Sequence, residues 1–498
     1  MEQNEKQVIA LKKEKLGKIR ELGINPYPTS CQRTHYIKDI LDNEAEYLAN
    51  NQFVQITGRF TAMRRQGKIG FAVLSDLTGK IQVFVKKDAV GEENYEIFKL
   101  CDLSDFVQID GTAFMTERGQ YSVLASKVTI LGKNIRPIPV VKEKEVDGQM
   151  VRYDEFHDIE LRYRKRYLDL LLNPENKDTF IKRSKIITFI RTFLNDRGYL
   201  EVETPTLQPL YGGANARPFI THHNTLDIDL YLRIATELYL KRLIVGGYEK
   251  VYEIGKNFRN EGMDRSHNPE FTLIELYEAY SDLDGMMELT EQLISQACLL
   301  VNGTTKIKFG NLEIELAAPW RRATMLELVA EHAGIDASDF DYDKLAAFCK
   351  EKHIEIPAGA GAGKLVAEIF EHYAEAKLIQ PTFVTDHPKE ISPLAKEKPG
   401  HPELTERFEL FIATNEYANA FTELNDPIDQ RERLESQAKL REMGDLEANM
   451  VDEDFLEAME YGMPPTGGLG IGIDRVIMLL TNNTSIKEVI LFPTMKPE

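Results

Sequence analysis

The stretch VYEIGKNFRNEGMDRSHNPEFTLIELYEAY, residues 251–280, reads as two strand-like runs flanking a polar loop from Asn260 to Pro269. On the second run Phe271, Leu273, Glu275 and Tyr277 alternate onto one face. An aromatic ring, a carboxylate and a phenol together suit a hydrophobic core badly, because an unpaired buried charge is costly. They suit a pocket. Arg259 and Glu261 stand at the mouth of the first run. A surface hairpin with exposed charges is the other reading of this pattern.

Two later stretches carry compatible chemistry. In RFELFIATNEYANAFTELND, residues 407–426, alternation puts Asn419, Phe421 and Glu423 on one face. Glu409 and Glu416 are candidate Mg²⁺ ligands, since hard cations that bridge phosphates use one or two carboxylates. Glu416 is out of phase with Asn419 and joins the same site only through a bend or bulge. In GGLGIGIDR, residues 467–475, Gly468, Gly470 and Gly472 leave one strand face as bare backbone. A flat ligand, or close packing of another element, accounts for such a face, and Arg475 at the strand-to-helix corner is placed to stack on a ligand or grip a phosphate. The run is not a dinucleotide fingerprint, because Ile473 or Arg475 falls where the third glycine belongs. A second glycine-rich run, GAGAGKL at 359–365, fails as a phosphate loop on spacing and on Leu365, and reads as a turn before a helix.

Around these stretches Asn176–Arg197 reads as an amphipathic helix closed by Gly198, and residues 324–379 are helix-rich. Helices mixed with antiparallel-looking strands, rather than βα repeats, predict an α+β domain built on an antiparallel sheet flanked by helices. The front of the chain differs. Five short alternating runs between residues 53 and 141, with a helical candidate near Glu92–Leu100, predict a small five-stranded barrel with the strand order of an oligonucleotide-binding fold. Residues 7–22 predict an amphipathic helix before it, its basic residues on a solvated face or against a nucleic-acid backbone. Arg136–Pro139 and Lys142–Asp147 read as a linker.

The 498 residues carry a formal charge of −19, which by itself argues against a nucleic-acid partner. The distribution changes that. Residues 1–150 hold 22 Lys+Arg against 20 Asp+Glu, leaving 39 against 60 for the remainder. A near-neutral front part is thus joined to an acidic body. Cys31, Cys101, Cys298 and Cys349 form no C-x-x-C pair, as expected of reduced thiols in a cytoplasmic protein. No apolar run reaches the ~18 residues of a membrane span, and the N-terminus lacks a signal-peptide pattern.

Three elements in order resemble the motifs of the class II aminoacyl-tRNA synthetases: GYLEVETP at 198–205, Phe258-Arg259-Asn260-Glu261 with the loop to Phe271, and Gly468–Arg475. The barrel is that of the lysine, aspartate and asparagine subgroup. GGANARPF at 212–219, TELYLK at 236–241 and ANAFTELNDP at 418–427 are similar to the bacterial-type lysyl-tRNA synthetases in particular. The resemblance implies an N-terminal helical extension (1–50), an OB-fold anticodon-binding domain (51–145) and a class II catalytic domain (146–498). Within the last, motif 1 spans about 198–209, motif 2 about 251–280, a helical insertion about 324–379 and motif 3 about 467–480.

It also implies a homodimer and the substrates L-lysine, ATP and tRNA(Lys), with Mg²⁺ on Glu409 and Glu416. Arg259 would bridge the amino-acid carboxylate and the α-phosphate; Arg475 would contact the γ-phosphate and cover adenine. Phe271 would take the other adenine face, Glu261 its amino edge, and His267 and Asn268 complete the ATP site. Glu423 with Tyr277 would hold the ε-ammonium and Glu237 with Gly213 the α-ammonium, with Glu275, Asn419 and Phe421 lining the pocket. In the barrel Phe71 and Gln82 would stack on and hydrogen-bond anticodon bases, with Arg59, Arg64 and Arg65 as phosphate contacts. Lys127 stands where some relatives place an acid. The rival readings are an aspartyl- or asparaginyl-type enzyme, which needs cationic or amide recognition of its side chain, and a non-catalytic RNA-binding relative.

Overall fold

The computed structural model describes the chain except for residues 1, 140–141, 147–148, 154–155, 157, 358, 443–449 and 498. It divides into two compact units, Met1–His157 and Asp158–Glu498.

The first unit opens with helices α1 (Glu2–Glu21), α2 (Ile37–Asp42) and α3 (Glu44–Ala49). Strands β1 (Phe53–Gln66), β2 (Ile69–Ser75) and β3 (Lys80–Lys86), helix α4 (Lys87–Leu100), and strands β4 (Phe106–Met115) and β5 (Tyr121–Gly132) follow. The five strands close a barrel in the order β1-β2-β3-β5-β4. Alternation sets its inside: Val54, Ile56, Leu74, Val83 and Val123 are buried, while Phe71, Gln82 and Phe84 lie on the outer, half-buried face. Helix α4 plugs the barrel with Phe98, and Gly70 makes room for it, because a Cβ there would lie 2.3 Å from the Phe98 ring. The turn between β2 and β3 is held by Asp76, whose Oδ1 accepts from Thr78 N (2.7 Å), Thr78 Oγ1 (2.7 Å) and Gly79 N (3.0 Å). The expected linker is different in form. β6 (Lys142–Val146) and β7 (Gln149–Tyr153) pair antiparallel as a hairpin inside the first unit. Asp147, at the end of that stretch, lies outside the described residues.

The second unit begins with α5 (Ile159–Arg164), α6 (Arg166–Leu172) and the long α7 (Asn176–Asn195), after which Gly198 turns the chain at φ +82°. Short strands β8 (Leu200–Glu201), β9 (Leu207–Gln208), β10 (Ile220–His223) and β11 (Ile228–Leu232) lead into α8 (Glu237–Val245). Then come the hairpin β12 (Lys250–Phe258) and β13 (Glu270–Ala279), α9 (Leu283–Asn302), the hairpin β14 (Lys306–Phe309) and β15 (Leu312–Glu315), and β16 (Arg321–Thr324). Helices α10 (Met325–Ala333), α11 (Tyr342–Glu351) and α12 (Ala362–Tyr373) form the helical segment. It has its own apolar cluster around Leu328, Leu345, Leu365 and Phe370. β17 (Thr382–Thr385), β18 (Glu397–Lys398), β19 (His401–Thr405), β20 (Arg407–Ile412) and β21 (Asn415–Thr422) precede α13 (Pro427–Glu442) and α14 (Glu453–Glu460). β22 (Thr466–Gly472), α15 (Ile473–Leu480) and α16 (Ile486–Val489) end the order.

The main sheet has eight strands in the order β16-β17-β20-β21-β22-β13-β12-β8. Its six central strands are antiparallel, as the alternating runs predict. The outer pairs β16–β17 and β12–β8 are parallel, so the expected antiparallel sheet carries one parallel pair at each edge. Strands of two to four residues carry too little pattern to declare a direction. One sheet face packs against α7, α9 and α15 through Ile190, Leu293, Ile477, Ile274, Leu276 and Ile471. The other face is left for the site.

Candidate active site

Register brings the three singled-out stretches together. β22 lies between β13 and β21, pairing Gly470 with Glu275 on one side and with Asn419 on the other. Residues 271, 273, 275 and 277 therefore share a face with the glycines and with Asn419, Phe421 and Glu423. All fifteen residues expected to bind amino acid, ATP or metal line one cavity of about 410 Å³.

Glu416 reaches it through a bulge. Leu410 pairs with Ala418, but the next residue, Phe411, pairs with Glu416, so Tyr417 is the extra residue on β21. The insertion moves Glu416 into phase with Asn419. Half-buried, Glu416 is pushed above the usual carboxylate range by its enclosure and by the charge of Glu409, against the pull of Arg475 and Arg407. Glu416 and Glu409 together fit a divalent cation, which relieves the repulsion between them. Glu371, at the end of α12, and Glu375 add to the same negative field; enclosure pushes both upward, and the Glu409 charge adds to the rise of each. Sequence reading missed this pair, which lies far from the motifs.

The glycine strand serves both readings. A Cβ on Gly468 would lie 1.8 Å from Glu423 Oε1 and 2.6 Å from the Tyr277 ring, so that glycine exists for close packing. Gly470 faces open space, with nothing nearer than 3.8 Å to a Cβ, and forms bare floor. Gly213 sits at φ +85°, and a Cβ there would lie 3.1 Å from the Ala235 and Glu237 side chains.

At the ATP-type end, Arg259 N donates to Pro269 O (2.9 Å), which ties the base of the polar loop. Its guanidinium lies 5.2 Å from the centre of the Phe271 ring, and its buried Nε has no partner. Asn268 is buried and donates Nδ2 to Glu270 O (2.6 Å), while its Oδ1 is unpartnered. Exposed Glu261 stands at the rim. Arg475 donates Nη1 to Glu416 O (2.7 Å) and contacts His267 Nε2 at 3.3 Å through Nη2; Asp264 holds the other ring nitrogen at 2.8 Å. Beside Arg475, buried Asp474 accepts from Thr272 N (2.7 Å) and Arg183 (2.5 Å), tying α15 to β13 and α7.

At the deeper end three carboxylates converge. Glu275 Oε2 accepts from Thr236 N (3.0 Å) and Thr236 Oγ1 (2.6 Å), yet burial and the Glu237 charge push it up to about 7. Burial pushes Glu423 to about 8 despite an ion pair with Lys241, with Glu237 adding to the rise. The Tyr277 phenol is raised well above its ordinary value by burial and these charges. Lys241 was not singled out from the sequence; its spacing of four from Glu237 on one helix was the available signal. Arg407 was likewise missed. It donates Nη2 to Glu409 Oε1 (2.5 Å) and Nε to Asn419 Oδ1 (3.2 Å), and it faces the Phe421 ring at 5.6 Å.

In the barrel unit, Phe71 stacks on Phe84 (4.7 Å, 17°) and Phe84 on Phe114 (5.9 Å, 27°). Gln82 lies opposite Val73, on the Phe71 face. Arg59 sits 3.8 Å over the Phe106 ring and donates to Ser104 O (3.0 Å), away from Phe71 along the strands. Arg64 is exposed. Arg65 is not a free phosphate contact. It donates to Phe98 O and Cys101 O (3.1 and 2.5 Å), satisfying carbonyls at the end of α4. In the other glycine-rich run the helix start is filled by the protein's own Glu390, which accepts from Gly361 N (2.6 Å) and Lys364 N (3.2 Å).

Comparison with known proteins agrees with this geometry. The family model for tRNA synthetases class II (D, K and N) matches residues 158–496, and that for the OB-fold nucleic acid binding domain matches residues 54–131. The chain is 53% identical over 493 residues to a protein named lysine–tRNA ligase from Clostridium perfringens, covering 98% of this chain and 96% of that one. It is 51% identical over 494 residues to the protein of the same name from Bacillus cytotoxicus, covering 98% and 97%. No helix among the described residues is long and apolar enough to cross a membrane.

Proposed function

The chain belongs to the class II tRNA synthetases of the D, K and N group, and on that premise we propose that it is a lysine–tRNA ligase working through the cavity described above. The observation that carries the choice of amino acid is the deep end of that cavity, where Glu237, Glu275 and Glu423 converge under Tyr277. An aspartate side chain there would add a carboxylate to three others, and an asparagine amide would leave buried charges unmatched. A lysine supplies two ammonium groups.

In the first step a lysine carboxylate oxygen attacks the α-phosphorus of ATP; the new P–O bond replaces the bond to the β-phosphate oxygen, and pyrophosphate leaves. No side-chain nucleophile is required, so alignment and charge neutralisation supply the rate. Arg259 bridges the carboxylate and the α-phosphate with a fixed, permanently charged fork, and its orphaned Nε supports that role. Phe271 and Arg475 take opposite faces of adenine, Glu261 meets its amino edge, and His267 and Asn268 stand at the phosphate end. Glu409 and Glu416 would hold Mg²⁺, which when bound screens phosphate charge. In the second step a ribose hydroxyl at the 3′ end of tRNA attacks the adenylate carbonyl and AMP leaves. The ring ladder of Phe71, Phe84 and Phe114, with Gln82 beside it, offers stacking for splayed anticodon bases. Arg59 is at most a peripheral contact in this reading.

A homodimer accompanies the proposal. Leu207, Ile220, Leu226 and Ile228 on and around the β10-β11-β9 sheet are 42–64% exposed, an apolar surface that a second copy would cover. A cytoplasmic location follows from the use of aminoacylated tRNA by ribosomes.

With labelled lysine, ATP and Mg²⁺ the chain charges tRNA, and ATP–pyrophosphate exchange responds to lysine and not to aspartate or asparagine. No charging in the complete mixture overturns the proposal. The Gly468→Ala variant is a sharper probe. Its Cβ displaces Glu423 or Tyr277, so the lysine KM rises about 100-fold while the ATP KM stays within about threefold.

A further inference from the structure

Behind the pocket that the preceding reading gives to the two substrate ammonium groups stands an internal one. Lys241 lies on α8 one turn after Glu237, and its side chain is fully buried. Its Nζ donates to Glu237 Oε1 at 2.6 Å, ion-pairs with Glu423 Oε2, and lies 6.0 Å from the centre of the Tyr277 ring. It thus joins the first turn of α8 to the residue that follows β21. Glu423 Oε1 keeps no partner and lies against Gly468 at the cavity wall.

We propose that Lys241 is a positioning and specificity residue: its ammonium clamps Glu237 and Glu423 at fixed spacing and offsets one of the three carboxylate charges, leaving the pocket matched to an amino acid with two ammonium groups. The inference rests on the lysine-pocket reading above. An ammonium has three donors, and here two reach the two carboxylates that meet opposite ends of the substrate. With all three ionised, three carboxylates against one internal cation leave two negative charges, and Arg259 at the pocket mouth is committed to the carboxylate and phosphate. The groups facing the clamp are Glu237 from α8, Glu275 and Tyr277 from β13, Arg259 after β12, and Glu423 after β21. Burial drives Glu275 and Glu423 towards protonation, and on Glu423 the Lys241 charge opposes it. Without that ammonium the carboxylates take up protons that an incoming lysine must expel.

Exchange kinetics of the full chain between pH 6.5 and 8.5 test this, with lysine and ATP varied separately. In the unaltered chain the lysine KM rises as pH falls through the range in which Glu275 and Glu423 protonate. In Lys241→Met it is about 100-fold higher at pH 7, within the span that loss of one partner of a buried charge pair produces. That deficit shrinks at least fivefold by pH 8.5, and the ATP KM stays within about threefold. Lys241→Arg keeps the unaltered pH profile even where crowding raises its KM. Coulombic attraction alone would make the Met variant bind lysine more tightly, so a lysine KM raised less than tenfold, unchanged or lowered overturns the proposal. A deficit equal at every pH, or an Arg variant with a shifted profile, does the same. If the Met variant does not fold, the profile of the Arg variant decides. Exchange by the unaltered chain that lysine does not drive removes the pocket reading itself, a result separate from either variant.

Discussion

Replacing Arg259 with lysine lowers kcat for lysine-dependent ATP–pyrophosphate exchange about 10³-fold, with smaller changes in the KM of lysine and of ATP. The charge is kept in this variant, so what is lost is the fork. A guanidinium presents several N–H groups in one plane and can hold a carboxylate and a phosphate oxygen together, whereas an ammonium is a point charge on a flexible stem. The fork is held in place here by the backbone bond from Arg259 N to Pro269 O and by the Phe271 ring 5.2 Å away. The buried Nε has no protein partner, so in the Lys variant an unclaimed donor disappears. One preorganised donor to developing charge is commonly worth 10²–10³ in kcat, and the loss of alignment adds to it. Steady-state exchange of the purified variant checks the figure. Activity within tenfold of the unaltered chain would mean that Arg259 binds without aligning.

The elements that could be read from the sequence are those whose pattern is long enough to be periodic. The barrel strands, α7 and the β12–β13 hairpin each repeat an alternation or a helical stripe over several residues, and burial of one face then fixes their register. The short edge strands β8 and β16 do not repeat, and their parallel direction was invisible. Glu416 shows the limit from the other side. Strand parity leaves it out of phase with Asn419 unless a bulge intervenes, and the extra residue Tyr417 supplies that bulge, whose position is a property of pairing and not of one strand's sequence. Arg65 was misread for a related reason: its charge is visible in the sequence, but the carbonyls of α4 that use it are contributed by another element. Lys241 sits in a quoted motif and was still passed over, since nothing local says that a helix lysine points inward to two carboxylates.

The Glu423→Gln variant raises the lysine KM about 10³-fold while moving the ATP KM by no more than about threefold. Glutamine has nearly the same shape, so packing against Gly468 and Tyr277 is preserved and the change isolates charge. In the unaltered pocket Lys241 is shared between Glu237 and Glu423; in the variant it pairs with Glu237 alone, and no carboxylate is left for the ε-ammonium at that end. A desolvated ammonium facing an amide loses a charge-assisted bond in surroundings of low dielectric, where removing one partner of a close pair costs two to four orders of magnitude. In the proposed reading ATP sits on the floor formed by β22 and against Arg475, on the far side of Glu275, so its KM does not sense the substitution. Selectivity moves with affinity. An uncharged isostere such as norleucine, which the unaltered pocket rejects because it leaves Glu423 Oε1 without a partner, gains on lysine by a comparable factor in exchange assays. Equal rises in the two KM values would remove Glu423 from the amino-acid pocket, whereas a lysine effect alone with no gain for norleucine would keep it there as a structural wall and not as the group that reads the charge.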